Sequence, residues 1–521
     1  MQVLEPDGFL ADESRLQGHA VKAFVVQLEE EIVTVLSDAT SAGIAVTTQG
    51  GLTGITGAAV PQEGYVLRVR QMQRVLGLRR DARGFVLRLE PGCTLDSIRR
   101  MLLEPAKMDV GDWSPESLAA WRALCHAPPQ MFAPDLTETG ATLGGVVSTN
   151  GSGARSYRYG AARGHIEGLR IVLMNGDILD MRRGQHHAQG RNFCLPGISG
   201  RIYAGKLPDY SMPAVKHAAG LYACENMDLL DLFIGSEGTL GVISQVEIRL
   251  IPRPERVYGL TMFLPSEAAA LSLVEQVRGS DLAVQAIEYF SAEALDLLRG
   301  ENSVGSEGGV RIPPLAAHWH TAIYIEVGSE DASVMDEMVC MLESVGGDAD
   351  ATWLADGYQE IETLKGIRHA IPERINSWIA EQRKAWPAVT KLGTDLAVPD
   401  RYLRAVMQMY HHDLQAAGLS YVIFGHIGNN HVHVNILPRN VVEWQAGKQL
   451  YAEWARRVIA WGGTVSAEHG IGKLKVDMLR MLFGADGIAA MQAVKRMFDP
   501  AFLLNRGTLF PADCERLQGN R

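Results

Sequence analysis

The sequence predicts an α+β fold with more than one domain, on the basis of its length, its glycine distribution and its hydrophobic periodicity. The chain has 521 residues, several times the usual size of a domain. Glycine-rich loops between short apolar strands dominate the region up to Pro254, whereas helical periodicity rises beyond it. Because two prolines punctuate residues 251–254, we expect a first domain over residues 1–254 and a second, mixed domain after it.

The composition and the amino terminus limit the classes of function. A formal net charge of −11 at pH 7 gives no electrostatic basis for binding nucleic acid. The six cysteines are too sparse for a disulfide framework, and none form a CxxC pair for zinc or an iron–sulfur cluster. The amino terminus lacks the pattern of a signal peptide, and no long apolar run follows. We expect a cytoplasmic protein without a transmembrane segment; peripheral attachment to a membrane is the alternative.

Strands separated by glycine-rich turns make up the first domain. GIAVTTQ and YVLRVR predict strands on either side of GGLTGITG, residues 50–57. FVLRLEPGCTLDSIRRMLL predicts a strand, a turn and a helix with Thr94 or Asp96 as its N-cap. GLRIVLMNGDILDM predicts a hairpin around Asn-Gly, and we expect a pair of strands to flank GSEGTLG. In the second domain, TAIYIEV predicts a strand and DASVMDEMVCMLESV a helix.

The turn GGLTGITG has a composition suited to holding a pyrophosphate. Its four glycines expose backbone N–H groups without obstruction by side chains. It is neither a Walker loop nor the GxGxxG that opens a helix, because no Gly-Lys-Ser/Thr follows and the next element is a strand. The alternative for this turn taken alone is a glycine-rich surface turn.

Histidines cluster near the carboxyl end, in FGHIGNNHVHVNILP, residues 424–438. This segment predicts a loop entering a strand, in which alternation places His431, His433 and Asn435 on one face. Such a cluster suits a divalent metal; the alternative is a set of histidines that are simply packed and hydrogen-bonded. In the later turn VSAEHGIGKLK, Glu468 and His469 are adjacent, so this pair can supply a metal ligand and a base.

Two segments of the first domain resemble a known family. PDLTETGATLGGVVSTNGSGARSYRYGAARGHIEGLRIVLMNGDIL and LFIGSEGTLGVISQVEIRLIPRP are similar to the FAD-binding domain of the vanillyl-alcohol oxidase and p-cresol methylhydroxylase superfamily. The resemblance implies a two-subdomain FAD-binding domain under an α+β cap domain with an antiparallel sheet. Because QGGLTGITG contains no histidine or cysteine, we expect non-covalent FAD, with His165 and Cys194 as the alternative attachment points. The implied cofactor-binding residues are Gly50, Gly51, Leu52, Thr53, Gly54, Gly57, Pro134, Thr142, Gly144, Gly145, Thr149, Asn150, Gly153, Tyr159, Gly160, Gly235, Glu237, Gly238, Gly241, Val242, Ile243 and Asn505.

The histidine segments are similar to the D-lactate, glycolate and D-2-hydroxyglutarate dehydrogenase branch, whose signatures are GHxGDGNxHxN and EHGxG. The resemblance implies a divalent metal, zinc or manganese, bound by His426, His433 and Glu468. It assigns His469 as the base that accepts the substrate hydroxyl proton, with Asn435 near the substrate. This chain departs from the first signature, because GNNH stands where the family has GDGN. His431 therefore takes the usual asparagine position, which puts local geometry and substrate choice in question.

Three further residues enter through the same resemblance. In LKGIRHAIPERIN, Arg368 is the candidate for the substrate carboxylate, for which arginine offers bidentate geometry. Lys391 is a second candidate cation; its alternative is a solvated surface lysine. The tail FDPAFLLNRGTLF, with Asn505, implies that the chain returns to the FAD domain. We therefore expect the cap over residues 255–464 and the returning segment over residues 465–521.

Together these features predict an FAD-dependent dehydrogenase that oxidises a small D-2-hydroxy acid to the 2-oxo acid by hydride transfer to flavin N5. The sequence has no cluster-binding cysteines, so the electrons are expected to pass to an external quinone, cytochrome or electron-transfer flavoprotein. A homodimer is compatible with this interpretation. One alternative is a flavoenzyme like alkylglycerone phosphate synthase, and another is a non-catalytic FAD-binding subunit of a complex like glycolate oxidase.

Overall fold

The computed structural model describes residues 1–299, 314–329 and 331–511. Its strands are β1 Gln2–Leu4, β2 Lys22–Val25, β3 Val46–Gln49, β4 Tyr65–Arg68, β5 Val75–Asp81, β6 Gly84–Leu89, β7 Gln130–Met131, β8 Ile166–Val172, β9 Ile178–Arg182, β10 Asn192–Pro196, β11 Ile202–Lys206, β12 Val242–Arg249, β13 Ile251–Pro252, β14 Val257–Leu264, β15 Val284–Phe290, β16 Thr321–Gly328, β17 Trp353–Asp356, β18 Leu392–Gly393, β19 Tyr421–His426 and β20 His431–Ile436. Its α-helices are α1 Glu29–Ala42, α2 Leu95–Leu103, α3 Pro115–Cys125, α4 Leu143–Ser148, α5 Ser156–Tyr159, α6 Leu230–Phe233, α7 Glu267–Gly279, α8 Ala292–Arg299, α9 Val334–Ser344, α10 Tyr358–Leu364, α11 Gly366–Ala385, α12 Leu403–Ala416, α13 Val441–Ala460 and α14 Val476–Phe498.

The first sheet has the strand order β1-β2-β4-β3, in which β2, β4 and β3 are parallel. Parallel strands need a crossover connection, and α1 supplies the one from β2 to β3, which lie on either side of β4. Helix α1 buries Ile32, Val35 and Leu36 in the core of this sheet. The predicted strands on either side of the glycine-rich turn are confirmed as β3 and β4, so residues 50–57 connect two parallel strands.

The second sheet is antiparallel, with the order β5-β6-β12-β8-β9. The predicted hairpin around Asn175 and Gly176 is confirmed as β8 and β9. The predicted cap of α2 is confirmed for Thr94, whose hydroxyl accepts a hydrogen bond from the Ser97 amide. The strand expected before GSEGTLG is wrong: the short helix α6 stands there, and the Asp228 carboxylate accepts a hydrogen bond from the Leu230 amide at its start. Strand β12 does follow the motif.

The third sheet has seven strands in the order β17-β14-β16-β15-β19-β20-β18, and its pairs are antiparallel. Helix α7 packs against β14 and β16, while α11 joins α8 in a separate apolar cluster with this sheet. The chain enters this sheet at β14, just after residues 251–254. The structure thus confirms the predicted α+β class, with an antiparallel sheet and helices in the second half of the chain.

The carboxyl-terminal segments differ from the local prediction in one respect. Residues 424–438 do not form a loop entering a strand: β19 and β20 make a hairpin, because the apolar residues before His426 extend the strand pairing. After α14 the chain returns to the first sheet, where Leu504 bridges to Val46. The domain limits 1–254, 255–464 and 465–521 stay predictions. Among the described residues, no helix combines the length and apolar character needed to cross a bilayer.

Candidate active site

The glycine-rich turn packs against the segment that contains Thr142. A Cβ atom at Gly50 would lie 2.3 Å from Thr142 Oγ1, so only glycine permits this approach. Leu52 has a φ of 62° and Gly57 a φ of 76°, so the backbone turns through left-handed conformations. The buried Thr142 Oγ1 has no hydrogen-bond partner among the described residues. An open backbone nest beside an unpaired hydroxyl fits the phosphate of a dinucleotide.

Two more predicted glycine segments meet behind this turn. The Gly235 amide donates to the Val147 carbonyl at 2.9 Å, and the Glu237 amide donates to the Ser148 carbonyl at 2.7 Å. The tail closes the same region through Asn505, which receives the Thr48 amide at 2.7 Å and donates to the Glu237 carbonyl at 2.9 Å. The structure thus brings together residues from four distant segments that the resemblance assigned to FAD.

The remaining predicted cofactor residues lie in or beside these segments. Asn150, with a φ of 50°, accepts a hydrogen bond from the Arg163 amide at 2.9 Å. Tyr159 and Gly160 end α5, which packs against β15 of the third sheet. The others lie as follows: Thr53 and Gly54 in the turn, Gly51 beside the Gly140 carbonyl, Pro134 in the loop after β7, Gly144 and Gly145 in α4, Thr149 at its end, Gly153 against Asp135, Gly238 against Asn505, and Gly241, Val242 and Ile243 at the start of β12.

The β19–β20 hairpin presents three histidines on one face. His426 ends β19 and pairs directly with His431, the first residue of β20, while His433 follows two positions later. Alternation along the strand therefore turns all three imidazoles to the same side. Glu468, in the loop before α14, approaches them from another part of the chain. One possible ligand atom from each of these four residues lies within 4.8 Å of every other, although sequence reasoning had assigned only three of them to a metal.

The partners of His426 and His433 leave one ring nitrogen of each for the centre of this group. His426 Nδ1 lies 2.6 Å from Glu288 Oε1, while its Nε2 lies 3.1 Å from Glu468 Oε2. His433 Nδ1 lies 3.0 Å from the Thr394 carbonyl, which fixes its proton there and frees Nε2. Burial, followed by the charges of neighbouring histidines, lowers the pKa of His433 well below its usual value. A neutral imidazole is the form that binds a metal.

Asp395 fixes the backbone of the Glu468–His469 turn through two hydrogen bonds. Its Oδ1 accepts the Glu468 amide and its Oδ2 accepts the His469 amide, both at 3.1 Å. Lys475 balances this buried carboxylate at 2.7 Å. Although burial opposes ionisation, the charges of His469 and Lys475 keep the pKa of Asp395 well below its usual value. The fixed backbone directs Glu468 toward the β19–β20 hairpin. The His469 side chain stays 28% exposed, and its ring stacks on that of His433 with the ring centroids 5.4 Å apart.

Contacts at Glu468 join the glycine segments to the histidines. The Ser152 hydroxyl donates to Glu468 Oε1 at 3.4 Å. Lys216 forms an ion pair with the same oxygen and lies 3.4 Å from the Gly153 carbonyl. Glu468 Oε1 is therefore occupied, and Oε2 faces His426. Sequence reasoning missed Lys216, because it lies in a loop without periodicity or motif.

The predicted substrate residues surround this centre at different depths. Arg368, on α11, is buried; its Nη2 donates to Thr137 Oγ1 at 2.8 Å and its Nε lies 3.5 Å from Glu288 Oε2. Asn435 is buried, and its Oδ1 has no hydrogen-bond partner among the described residues. Lys391 exposes much of its surface to solvent, but its ammonium lies close enough to the site for its charge to act on His469. Loss of hydration around its ammonium, followed by the charge of Arg15, lowers the pKa of Lys391 to about 8. Sequence reasoning also missed Arg15, whose charge acts on Lys391.

Comparison with known proteins agrees with this arrangement. The sequence-family model of the FAD binding domain matches residues 22–110 and 122–182. The sequence-family model of the C-terminal domain of FAD linked oxidases matches residues 252–509. In structure, the chain is similar to an alkyldihydroxyacetonephosphate synthase, with a TM-score of 0.59 and 15% identity over 94% of this chain and 77% of that one. At this identity the likeness shows the fold alone.

Curated relatives match over nearly the whole chain. Glycolate oxidase subunit GlcD of Bacillus subtilis is 26% identical, with 94% of this chain and 88% of that protein covered. A probable mitochondrial D-lactate dehydrogenase of Danio rerio is 28% identical, covering 88% and 77%. D-2-hydroxyglutarate dehydrogenase of Stutzerimonas stutzeri is 24% identical, covering 93% and 89%. The chain belongs to the family of FAD-linked oxidases that contains these dehydrogenases, and it is an FAD-linked oxidoreductase.

Proposed function

We propose that the protein oxidises a small D-2-hydroxy acid, of the D-lactate, glycolate or D-2-hydroxyglutarate type, to the corresponding 2-oxo acid. The observation that carries this proposal is the contact of Ser152 with Glu468 at 3.4 Å, which joins a flavin-type glycine segment to a histidine–carboxylate cluster. Relatives named as glycolate oxidase subunit, D-lactate dehydrogenase and D-2-hydroxyglutarate dehydrogenase support the same substrate class. Non-covalent FAD fits the cradle around Gly50 and the unpaired Thr142 hydroxyl.

A divalent ion, zinc or manganese, fits the donor atoms of His426, His433 and Glu468. His426 Nε2 lies 3.1 Å from Glu468 Oε2, and the Thr394 carbonyl at His433 Nδ1 leaves Nε2 of that ring free, while Glu288 holds Nδ1 of His426. Such outer partners are typical of metal-binding histidines. Bound FAD supplies the acceptor for two electrons, and a divalent ion supplies positive charge that lowers the pKa of the substrate hydroxyl.

His469 is the base that accepts the hydroxyl proton in this proposal. Its Nδ1 lies 3.4 Å from Asp395 Oδ2, so the buried carboxylate is close enough to stabilise the imidazolium that forms. Nε2, the other ring nitrogen, is assigned to take the substrate proton. The stacked His433 ring and the fixed backbone hold the imidazole in position.

The substrate carboxylate is assigned to the cations and the amide around the centre. Arg368 is held by Thr137 and Glu288, which orients the planar guanidinium before substrate arrives. Lys391 adds a second positive charge from the exposed side, and the unpaired Asn435 amide offers a further polar contact. Electrons leave to an external quinone, cytochrome or electron-transfer flavoprotein, since the sequence contains no CxxC pair for an iron–sulfur cluster.

The test is an anaerobic titration of the purified yellow protein, followed by the visible absorbance of its flavin. D-lactate, glycolate and D-2-hydroxyglutarate are added singly, with the L isomers of the chiral acids as controls. We expect one acid of this class to bleach the flavin, and a chelator to abolish the bleaching while the FAD stays bound. If none of these acids bleaches the flavin, the proposed substrate class is wrong.

A further inference from the structure

His431 is the member of the histidine cluster that the assigned roles leave unexplained. It begins β20, is fully buried and stands directly opposite His426 in the hairpin. The centroid of its ring lies 4.5 Å from that of His433 and 5.4 Å from that of His426. Its imidazole is therefore part of the same group and does not belong to a neighbouring apolar core.

Neither ring nitrogen of His431 has a hydrogen-bond partner among the described residues. Nε2 does lie 3.1 Å from Asp395 Oδ1, but the arrangement lacks the geometry of a hydrogen bond. Asp395 Oδ1 already accepts the Glu468 amide, and Oδ2 accepts the His469 amide and the Lys475 ammonium. A fully buried imidazole that makes no hydrogen bond is costly unless something else binds it.

We infer that His431 is a fourth protein ligand of the divalent ion, so that three imidazoles and one carboxylate form the metal site. This inference rests on the metal centre of the proposed function and extends its ligand set. The inference is based on the distances between the four side chains. One possible ligand atom from each of His426, His431, His433 and Glu468 lies within 4.8 Å of the other three. The bound metal satisfies a buried imidazole that makes no hydrogen bond within the described residues.

A nitrogen-rich ligand set changes which metal binds. Imidazole suits zinc, copper, iron and nickel, whereas manganese and magnesium prefer carboxylate, carbonyl and water oxygens. Three imidazoles therefore favour zinc over manganese more than two imidazoles do. Four protein ligands fill a tetrahedral shell, so a substrate that binds the ion requires five or six coordination positions.

The experiment compares metal binding by the wild-type holoprotein and His431→Asn after removal of metal with a chelator. Zn²⁺ and Mn²⁺ are titrated separately in competition with a chromophoric chelator, and Co²⁺ is added to record its visible spectrum. We expect His431→Asn to weaken Zn²⁺ binding at least about 10-fold, as loss of a ligand or of its partner does. The Mn²⁺ affinity should change by less than the Zn²⁺ affinity, and the Co²⁺ spectrum should change in shape and intensity.

Three variants act as controls. His433→Asn should lose metal, because His433 is a ligand in either interpretation, whereas His412→Asn should not, because His412 is 80% exposed and outside the cluster. His431→Gln provides a second substitution in case His431→Asn does not fold, as judged by its thermal melt and its FAD content. Equal Zn²⁺ affinities and Co²⁺ spectra for the wild type and a folded His431 variant would overturn the inference. Failure of the wild type to bind any of the three metals would overturn it as well.

Flavin bleaching by hydroxy acids, measured on the same preparations, separates this inference from the proposed function. If His431→Asn loses Zn²⁺ affinity but no acid bleaches the wild-type flavin, the fourth ligand stands and the substrate proposal fails. If an acid bleaches the wild-type flavin and His431→Asn keeps full Zn²⁺ affinity, the substrate proposal stands and the fourth ligand fails.

Discussion

Lys216 and Glu468 form a buried ion pair inside the histidine cluster, although 252 residues separate them in the sequence. Their side chains are 6% and 8% exposed, so water hardly screens the pair. The Lys216 ammonium and the proposed divalent ion both place a positive charge beside the Glu468 carboxylate. Lys216 therefore compensates Glu468 in the metal-free protein and opposes the binding of a cation.

Lys216→Met should strengthen divalent-metal binding and weaken the metal-free protein. Removal of the like charge should lower the Kd for Zn²⁺ by about 10-fold. Among the described residues, Glu468 then keeps only His426 as an ion-pair partner for its buried charge, so the metal-free protein should lose about 3 kcal/mol in the free energy of unfolding. Competition titrations and denaturant melts with and without Zn²⁺ measure both effects.

The matched control is Lys365→Met, because Lys365 is also 6% exposed and lies 3.2 Å from the buried Glu326. It should destabilise the protein equally with and without Zn²⁺. Unchanged Zn²⁺ affinity in Lys216→Met would contradict the competition between the two cations.

Replacement of the proposed base should affect chemistry and spare the cofactor. His469→Gln is expected to slow flavin bleaching by the substrate about 10²- to 10⁴-fold, the usual contribution of a general base. FAD content should stay the same, because the hydrogen bond from Thr56 reaches only the carbonyl of His469. Anaerobic stopped-flow absorbance gives the rate, and His412→Gln is the exposed control. Bleaching at the wild-type rate would remove His469 from the role of base.

Lys391 should give substrate binding a pH dependence. Its pKa is lowered to about 8, so the ammonium is charged below that pH and becomes neutral above it. If it attracts the substrate carboxylate, the KM for the hydroxy acid should rise as the pH increases through about 8. Lys391→Arg should move this rise to higher pH, since the guanidinium stays protonated.

Two comparisons make the Lys391 prediction specific. Lys391→Met should raise KM below pH 8 and flatten the profile, while kcat changes less. Lys448→Met, on the exposed face of α13, should keep the wild-type profile. A KM profile for Lys391→Met that still rises near pH 8 would assign the titration to another group.

The ion pair of Lys495 and Asp499 should stabilise the returning tail. Both side chains are buried, and the Lys495 ammonium also donates to the carbonyls of Thr239 and Leu504. Lys495→Met leaves the Asp499 charge buried and should cost about 3–5 kcal/mol of unfolding free energy. Because the tail carries Asn505 to the glycine segments, FAD should also dissociate more readily.

Denaturant unfolding and FAD retention on a desalting column measure this effect. The control is Lys384→Met, whose pair with Glu381 is 73% and 65% exposed and should contribute no more than about 1 kcal/mol. Equal losses in the two variants would mean that burial of the Lys495 pair has no energetic role.

The sequence by itself determined the elements whose causes are local. The N-cap at Thr94 and the hairpin at Asn175 depend on residues a few positions away, and both agree with the structure. Alternation likewise placed His431 and His433 on one face of a strand. Local patterns failed where tertiary packing decided the secondary structure. They predicted a strand before GSEGTLG, where a helix lies, and they missed the strand that ends at His426.

The tertiary structure alone decided which side chains surround the centre. Glu288 reaches His426 across 138 residues of sequence, because β15 and β19 are paired in the third sheet. Ser152 reaches Glu468 across 316 residues, through a contact between two loops. No periodicity or motif encodes such contacts, because they arise when distant elements bury their polar groups against one another and must satisfy them there. The residue types of the centre were therefore readable from the chain, whereas its charge balance, with Lys216 against Glu468, was set by folding.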